Sequence, residues 1–168
     1  EPVFALRNSN AVDTVIEAAR SHQRRAPVRR DAARVVRDRA KFWSVLAASQ
    51  SRPFTATLAD APAVVATGAA ELGAGLDVIV DNIFKHTEAG TALALSVTTD
   101  DEVVRVTVAD AGPGLPDSGL AGRGRSGAGS TGIGLDVARR TAEQAGGTLE
   151  LGTGLEGRGM SVTFRLPK

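Results

Sequence analysis

The chain has 168 residues, of which 42% are hydrophobic and 23% are charged, and its formal net charge is +1. That length is enough for one domain with its own core, and the near-neutral charge predicts contact with neither nucleic acid nor membrane. The absence of cysteine excludes disulfides and thiolate metal sites, and no apolar run approaches the roughly 20 residues of a membrane-spanning helix.

The first 30 residues are predicted to be a linker or the end of an upstream helical region. One helical stripe in this segment is formed by Val12, Val15, Ile16 and Ala19. Arginines are concentrated between Arg20 and Arg39, with no aromatic residues interleaved among them. The alternatives for these arginines are a solvated helix face or a site for a polyanion.

A second helix is predicted to begin after Asp31, whose side chain can accept a hydrogen bond from the first free amides. Its apolar residues recur at helical spacing and are Val35, Val36, Phe42, Trp43 and Leu46. The helix should end before Arg52, because Pro53 disfavours helical backbone at the preceding residue. Two short strands, residues 54–58 and 63–67, follow on either side of a turn.

A third helix has the clearest periodicity in the chain. Its apolar face is formed by Leu72, Leu76, Ile79, Val80, Ile83 and Phe84. Asn82, Lys85 and His86 lie on a neighbouring stripe of the same helix. Two interpretations stay open for that stripe. It lines the rim of a pocket, or it is an ordinary polar surface in which Asp81 and Lys85 form an ion pair.

A hairpin follows, with alternating apolar residues from Leu93 to Val97 and again from Val104 to Val108. Asp110 continues the even-numbered register, so its carboxylate is expected on the buried side at the end of the strand. A carboxylate facing a core needs a hydrogen-bond donor. Asp110 therefore either initiates the following turn or accepts a hydrogen bond from the amino group of a ligand.

Nine of the nineteen glycines lie between Gly112 and Gly134, bracketed by that strand and by a helix that starts near Thr131. Glycines let backbone amides approach an anion, and the helix start adds free amides and a positive dipole end. Neither a P-loop nor a dinucleotide fingerprint matches this stretch. A disordered linker is the alternative to a phosphate-binding loop.

The final third of the chain is predicted to contain a helix over residues 133–145, ended by two glycines, and two strands. The strands are placed at residues 149–151 and 160–166. Together these elements predict an α+β fold for residues 31–168. We expect a two-layer sandwich, with helices on one face of a mixed, mainly antiparallel sheet.

With these motifs in order, the sequence resembles the catalytic ATP-binding domain of bacterial sensor histidine kinases. That superfamily also includes gyrase, heat-shock chaperone and mismatch-repair ATPases. Residues 81–87, DNIFKHT, resemble the asparagine box, residues 110–114, DAGPG, the first glycine box, and residues 129–135, GSTGIGL, the second. The resemblance extends from about Asp31 to Lys168.

The resemblance implies specific roles for four polar residues. Asn82 would bind the Mg²⁺ that bridges the phosphates of ATP, and its amide oxygen suits such a hard cation. Lys85 would contact a phosphate as a point charge, and His86 would cover the adenine face. Asp110 would accept a hydrogen bond from the adenine amino group.

The same resemblance assigns the glycine-rich stretch to the nucleotide. The implied ATP-binding positions there are Gly112, Gly114, Thr131, Gly132, Gly134 and Leu135. Residues 116–130 would form a mobile lid, with Arg123 and Arg125 as candidate phosphate contacts. The aromatic segment that relatives carry in this lid is hard to find here.

One departure bears on the reaction. Relatives that hydrolyse ATP carry a glutamate one helical turn before the asparagine, and many kinases have asparagine there, whereas this chain has Val78. Asp77 and Asp81 project about 140° and 100° away from Asn82 around the helix, so neither replaces that base easily. Rapid hydrolysis is therefore disfavoured, and transfer to a separate acceptor stays open.

His22 lies in a segment, SHQRRAPV, that resembles the phosphoacceptor box of the family at half its positions. An acceptor histidine normally lies on the first of two long helices that precede the ATP-binding domain. His22 is too close to Asn82 in sequence to leave room for the second helix. We therefore expect the acceptor histidine on another domain.

The resemblance implies a protein histidine kinase domain of a two-component system, using ATP and Mg²⁺. It would transfer the γ-phosphoryl group to a histidine on a helical dimerisation domain of the same parent protein, with a response regulator downstream. The domain would be cytoplasmic and its parent protein anchored in the cell membrane. The alternatives are a non-catalytic nucleotide-binding module and a serine/threonine kinase of a regulatory protein.

Overall fold

The fold is described from a computed structural model, for residues 28–114 and 131–168. The helices are α1 (Ala32–Ser49), α2 (Ala69–His86) and α3 (Thr131–Gln144), and a short 3-10 turn spans Leu155–Gly157. The strands are β1 (Arg30–Asp31), β2 (Phe54–Thr57), β3 (Val64–Val65), β4 (Leu93–Thr99), β5 (Val103–Asp110), β6 (Thr148–Thr153) and β7 (Met160–Pro167). Within these two ranges, no helix has the length and apolarity that crossing a bilayer requires.

Five strands form one sheet in the order β2-β4-β5-β7-β6, and the three helices cover one of its faces. β2 runs parallel to β4, whereas the other neighbouring strands are antiparallel. β1 and β3 form a separate two-stranded antiparallel sheet. The prediction of an α+β sandwich with a mixed, mainly antiparallel sheet is confirmed.

The core lies between the sheet and the helices. Alternate residues of the three central strands are buried in it, namely Leu93, Leu95, Val97, Val104, Val106, Val108, Val162, Phe164 and Leu166. α2 packs against both α1 and α3, and it buries the predicted residues Leu72, Leu76, Ile79, Val80 and Ile83. Burying each such side chain stabilises the fold by about 1.5–3 kcal/mol, so α2 is held firmly over the sheet.

The apolar stripe predicted for α1 is only partly buried. Val35, Val36 and Trp43 lie in the core, but Phe42 is 56% exposed and Leu46 is 37% exposed. Successive helical residues point about 100° apart, so Phe42 and Trp43 cannot face the core together. Phe42 instead lies edge-on to Trp43, with ring centroids 5.1 Å apart.

The segment predicted as the strand 63–67 is shorter and pairs with the entry to α1. Asp31 caps α1 by accepting a hydrogen bond from the amide of Ala33 at 3.0 Å. The amide of Ala32 donates to the carbonyl of Ala63 at 2.8 Å, and the Asp31 carboxylate accepts from the amide of Ala63. These bonds hold β3 beside β1 rather than beside β2.

Candidate functional site

A pocket opens where the C-terminal end of α2 meets the end of β5. It is lined by Asn82, Ile83, His86, Thr87, Asp110, Pro113, Gly114 and Met160. It shares five of these residues with an open cleft of about 890 Å³ beside the β6–β7 connection. The volume of that cleft, which neither Asn82 nor Asp110 lines, lies within the range of small-molecule sites, whereas the pocket that holds both residues measures about 70 Å³. The structure therefore brings together two of the predicted motifs, the one around Asn82 and the one that begins at Asp110.

Asp110 forms part of the wall of this pocket and is only 3% exposed. It pairs with Leu93 at the end of the β4–β5 ladder, which fixes the predicted even register. Its carboxylate accepts a hydrogen bond from the amide of Gly112 at 2.7 Å and another from the amide of Met160. Burial raises the pKa of the Asp110 carboxyl above its ordinary value, against the opposing effect of these two amides.

Both interpretations of Asp110 are compatible with this geometry. Its bond to Gly112 is a turn-initiating bond of the kind expected. A carboxylate has room for about four hydrogen bonds, and the Asp110 side chain also faces the pocket. It can therefore hold the turn and still accept a donor from a ligand.

Two glycines of the β6–β7 connection let that connection approach Asp110, and sequence reasoning missed both. A Cβ at Gly154 or at Gly159 would collide with the backbone carbonyl of Asp110. Gly159 also has a φ of +72°, which other residues rarely adopt. The spacing of glycines between Gly152 and Gly159 was the available signal, but it does not reveal which neighbour comes close.

The start of α3 lies directly against α2. A Cβ on Gly134 would overlap the amide nitrogen of Asn82 and would come within 2.8 Å of Val78 Cγ1. The missing side chain at Gly134 therefore places the first turn of α3 beside Asn82. Because the first amides of a helix have no partner inside it, this end of α3 attracts anions.

The other predicted residues of the second glycine box are less fully described. Thr131 and Gly132 begin α3. Leu135 is half-buried and packs against the core, so its side chain stabilises α3. Arg123 and Arg125 of the predicted lid lie outside the described residues, as does His22.

Asn82, Lys85 and His86 share one side of α2, as predicted. Asn82 is half-buried and His86 is exposed, and both line the pocket. Lys85 points elsewhere, since its Nζ lies 2.6 Å from the carboxylate of Asp81 in an exposed ion pair. The structure thus forms the ion pair of the polar-surface interpretation at Lys85, and it places Asn82 and His86 at the pocket.

The two aspartates near Asn82 are both paired. The Asp77 carboxylate accepts hydrogen bonds from Arg39 Nε and from Trp43 Nε1, each at 2.8 Å, and so faces α1. Asp81 is held by Lys85. Val78, which occupies the position of the expected base, packs toward Gly134. In the part of the chain that the structure describes, no carboxylate of α2 takes the place of that base.

Arg52 is a buried residue behind the pocket, and the sequence interpretation used it only to mark the end of α1. It is 4% exposed, and its guanidinium donates to Thr87 Oγ1 at 2.7 Å and to the Thr87 carbonyl at 2.8 Å. Burial lowers the pKa of the Arg52 guanidinium, and the charge of Asp110 opposes that shift. Its one signal in the sequence is a charged residue between a helix and a strand.

A magnesium ion is compatible with the residues present. No group of three or more metal-binding side chains occurs in residues 28–114 and 131–168. Mg²⁺ commonly keeps several waters and is held through few protein ligands together with phosphate oxygens. The half-buried amide of Asn82 beside the start of α3 suits that arrangement.

Comparison with known proteins identifies a family for most of the described helices and strands. Residues 69–168, more than half of the chain, match the family model described as histidine kinase-, DNA gyrase B- and HSP90-like ATPase. No curated protein matches the chain in sequence.

Solved structures share the fold. The catalytic domain of the histidine kinase ThkA has a TM-score of 0.71 at 19% identity, covering 84% of this chain and 97% of that one. The ATP-binding domain of PrrB from Mycobacterium tuberculosis has a TM-score of 0.65 at 19% identity, covering 83% and 96%. Full-length ShkA in complex with AMPPNP has a TM-score of 0.67 at 26% identity, covering 84% of this chain and 30% of ShkA.

Proposed function

The chain belongs to the histidine kinase-, DNA gyrase B- and HSP90-like ATPase family, and from that premise we propose that it binds Mg·ATP and transfers the γ-phosphoryl group to a histidine on a separate domain. The observation that carries this proposal is the meeting of Asn82 and Asp110, from different elements, in one pocket. The Asn82 amide is suited to a metal ion, and the Asp110 carboxylate is suited to an amino group.

Asp110 would recognise the adenine. As a buried carboxylate it accepts a hydrogen bond from the 6-amino group, whereas guanine presents a carbonyl oxygen at the same position and is rejected. His86 and Met160 line the same pocket and would contact the base. A site built around a hydrogen bond discriminates strongly, because a ligand without the donor leaves a buried group unpaired.

Asn82 and the start of α3 would serve the phosphates. When bound, Mg²⁺ would neutralise charge on the phosphate oxygens, and the Asn82 amide would be its protein ligand. The free amides of the first turn of α3 would bind phosphate oxygens directly. Lys85 would exchange its ion pair with Asp81 for a phosphate contact.

The acceptor would be an imidazole. Its nitrogen would form a bond to the γ-phosphorus as the bond to the β–γ bridging oxygen breaks, and ADP would leave. Because Val78 replaces the expected base and Asp77 and Asp81 are paired elsewhere, the site favours transfer over attack by water. Positioning and charge neutralisation would carry the catalysis.

We place this reaction in a two-component system. The acceptor histidine would lie on a helical dimerisation domain of the parent protein, and a response regulator would then receive the phosphoryl group. ATP is supplied by the cytoplasm, so the domain would be cytoplasmic, with a membrane-anchored parent.

A non-catalytic nucleotide-binding module is the second candidate. The apolar Val78 beside Asn82 favours it, since that position then offers the reaction no polar group. Such a module would bind ATP with the same residues, but it would present a surface to a partner instead of transferring phosphate.

Calorimetric titration with ATP and GTP, with and without Mg²⁺, tests the binding part. We expect ATP to bind and GTP to bind far more weakly, and we expect Asn82→Ala to abolish the Mg²⁺ dependence. Equal affinity for ATP and GTP would contradict the proposal.

A second experiment tests the transfer. The chain is mixed with the parent protein's helical dimerisation domain and γ-labelled ATP. Acid-labile phosphate on that domain supports the kinase. Tight ATP binding without any phosphohistidine would favour the module, and acid-labile phosphate on this chain alone would identify His22 as an acceptor.

A further inference from the structure

Arg52 is the most deeply buried cation of the described residues, and its hydrogen bonds all go to neutral acceptors. Besides its two bonds to Thr87, it donates to Gln50 Oε1 at 2.7 Å and to the Thr91 carbonyl at 3.4 Å. Its guanidinium also stacks on the ring of Phe84, 4.7 Å from the centroid. A buried charge is costly unless an opposite charge lies near it.

The opposite charge is Asp110, which interacts with Arg52 electrostatically. Both side chains are almost fully buried, so little water screens this interaction. Arg52 therefore stabilises the ionised form of Asp110, in which both carboxylate oxygens are hydrogen-bond acceptors.

Thr87 connects the two residues sterically as well. It is held by Arg52 on one side, and its hydroxyl donates to the Ile83 carbonyl at 2.6 Å. On the other side, its methyl group lies so close to Gly112 that a Cβ there would come within 2.6 Å of it. Gly112 in turn donates to Asp110. A continuous chain of contacts thus runs from Arg52 to the Asp110 carboxylate.

We propose that Arg52 is a positioning residue for adenine recognition, which holds Thr87 in place against the turn after β5 and so fixes the Asp110 carboxylate toward the 6-amino group. This inference rests on the proposed function and names a specificity determinant that lies behind the pocket. Arg52 does not line the pocket itself.

A purely structural role is the competing explanation. Arg52 also joins the loop after α1 to the end of α2, and the amide of Gly90 donates to the Gln50 carbonyl at 3.0 Å in the same region. Loss of that role would destabilise the protein without changing its preference between purines. Discrimination between two nucleotides therefore separates the two roles.

The test compares ATP with purine riboside triphosphate, which lacks the 6-amino group, by calorimetry on the wild-type chain and Arg52→Met. We expect Arg52→Met to weaken ATP binding about tenfold and the analogue about twofold or less, since the lost hydrogen bond exists only with ATP. Arg52→Lys, which keeps the charge, should recover part of the discrimination.

Arg39→Met is the matched control, because Arg39 also stacks on an aromatic ring and binds a side chain of α2, but lies away from the pocket. Arg39→Met should change neither the affinity for ATP nor the affinity for the analogue. If Arg52→Met does not fold, Arg52→Lys and Thr87→Val are compared instead, and Thr87→Val should reduce the ATP preference in the same direction.

The inference would be overturned if the ratio of the affinities for ATP and for the analogue were unchanged in folded Arg52→Met. The same unchanged ratio in both Arg52→Lys and Thr87→Val would also overturn it. Failure of the proposed function looks different. In that case the wild-type chain would not bind ATP. If only the inference fails, the wild-type chain binds ATP and Asp110→Asn loses ATP binding. The Arg52 variants then keep the wild-type preference for ATP over the analogue.

Discussion

Two arginines join α2 to the segments before it, and they do so in opposite ways. Arg39 meets Asp77 directly in an ion pair whose side chains are about one-third exposed, and Trp43 shares the same carboxylate. Arg52 is buried, binds neutral acceptors and faces its charged partner Asp110 only at longer range. In the first arrangement both carboxylate oxygens of Asp77 are bound by side chains of α1, whereas the second leaves the Asp110 side chain facing the pocket.

These two arrangements give Asp77 and Asp110 different roles in stability and in binding. Asp77, close to Asn82 in sequence, is occupied by α1 and is unavailable to a nucleotide. Asp110 is held by backbone amides of Gly112 and Met160 and by a remote charge, and its buried side chain still lines the pocket. Removal of the Asp77 carboxylate should therefore affect stability without affecting binding, whereas changes in the groups that hold Asp110 should also affect binding.

The largest effect is expected at the wall behind Asp110. Gly159→Ala should lower the free energy of unfolding by about 3 kcal/mol, because the new Cβ collides with the Asp110 carbonyl and φ is positive. Urea denaturation measures this. Gly157→Ala is the matched control, since its φ is also positive but nothing lies within 4 Å, and it should cost only about 1 kcal/mol. An equal loss of unfolding free energy in the two variants would mean that the β6–β7 connection does not pack against the Asp110 carbonyl.

A smaller effect is expected from the other network. Asp77→Ala should lower the free energy of unfolding by about 2 kcal/mol, because the Trp43 Nε1–H and Arg39 lose their shared acceptor. Its affinity for ATP should stay within about twofold of wild type, since the pocket is untouched. Denaturation together with ATP titration checks both parts. A large loss of ATP affinity in the folded variant would show that the contacts of Asp77 also affect the pocket at Asp110.

The smallest stability effect is expected at Lys85. Its exposed pair with Asp81 contributes only about 0.3–0.5 kcal/mol, so Lys85→Met should leave the unfolding curve almost unchanged. If Lys85 moves to a phosphate, ATP affinity should fall about fivefold.

Lys41→Met is the control for Lys85→Met, because Lys41 has a similar exposed pair with Asp38 on α1. It should leave ATP affinity unchanged. Identical ATP affinities for the two variants would remove Lys85 from the site.

Periodicity predicted much of the fold and the pocket. The stripe from Leu72 to Ile83 specified the buried face of α2, and alternation in the β4–β5 hairpin specified the side on which Asp110 lies. Both depend on residues close in sequence, so pattern alone was sufficient.

Other features depend on contacts between distant segments, which local patterns do not encode. The hydrogen bonds of Asp31 and Ala32 with Ala63 place β3 beside β1. Arg52 reaches Thr87 across the end of α2, and Gly154 and Gly159 matter because of Asp110. The assignments of Arg123 and Arg125 to a lid remain predictions, since those residues lie outside the described part.

The most direct test of the single pocket is a crystal structure of this chain with AMPPNP and Mg²⁺. We expect the adenine amino group to lie within hydrogen-bond distance of the Asp110 carboxylate, and we expect the Asn82 amide beside the start of α3 to bind the metal. A nucleotide bound elsewhere, or an adenine that does not contact Asp110, would contradict this expectation.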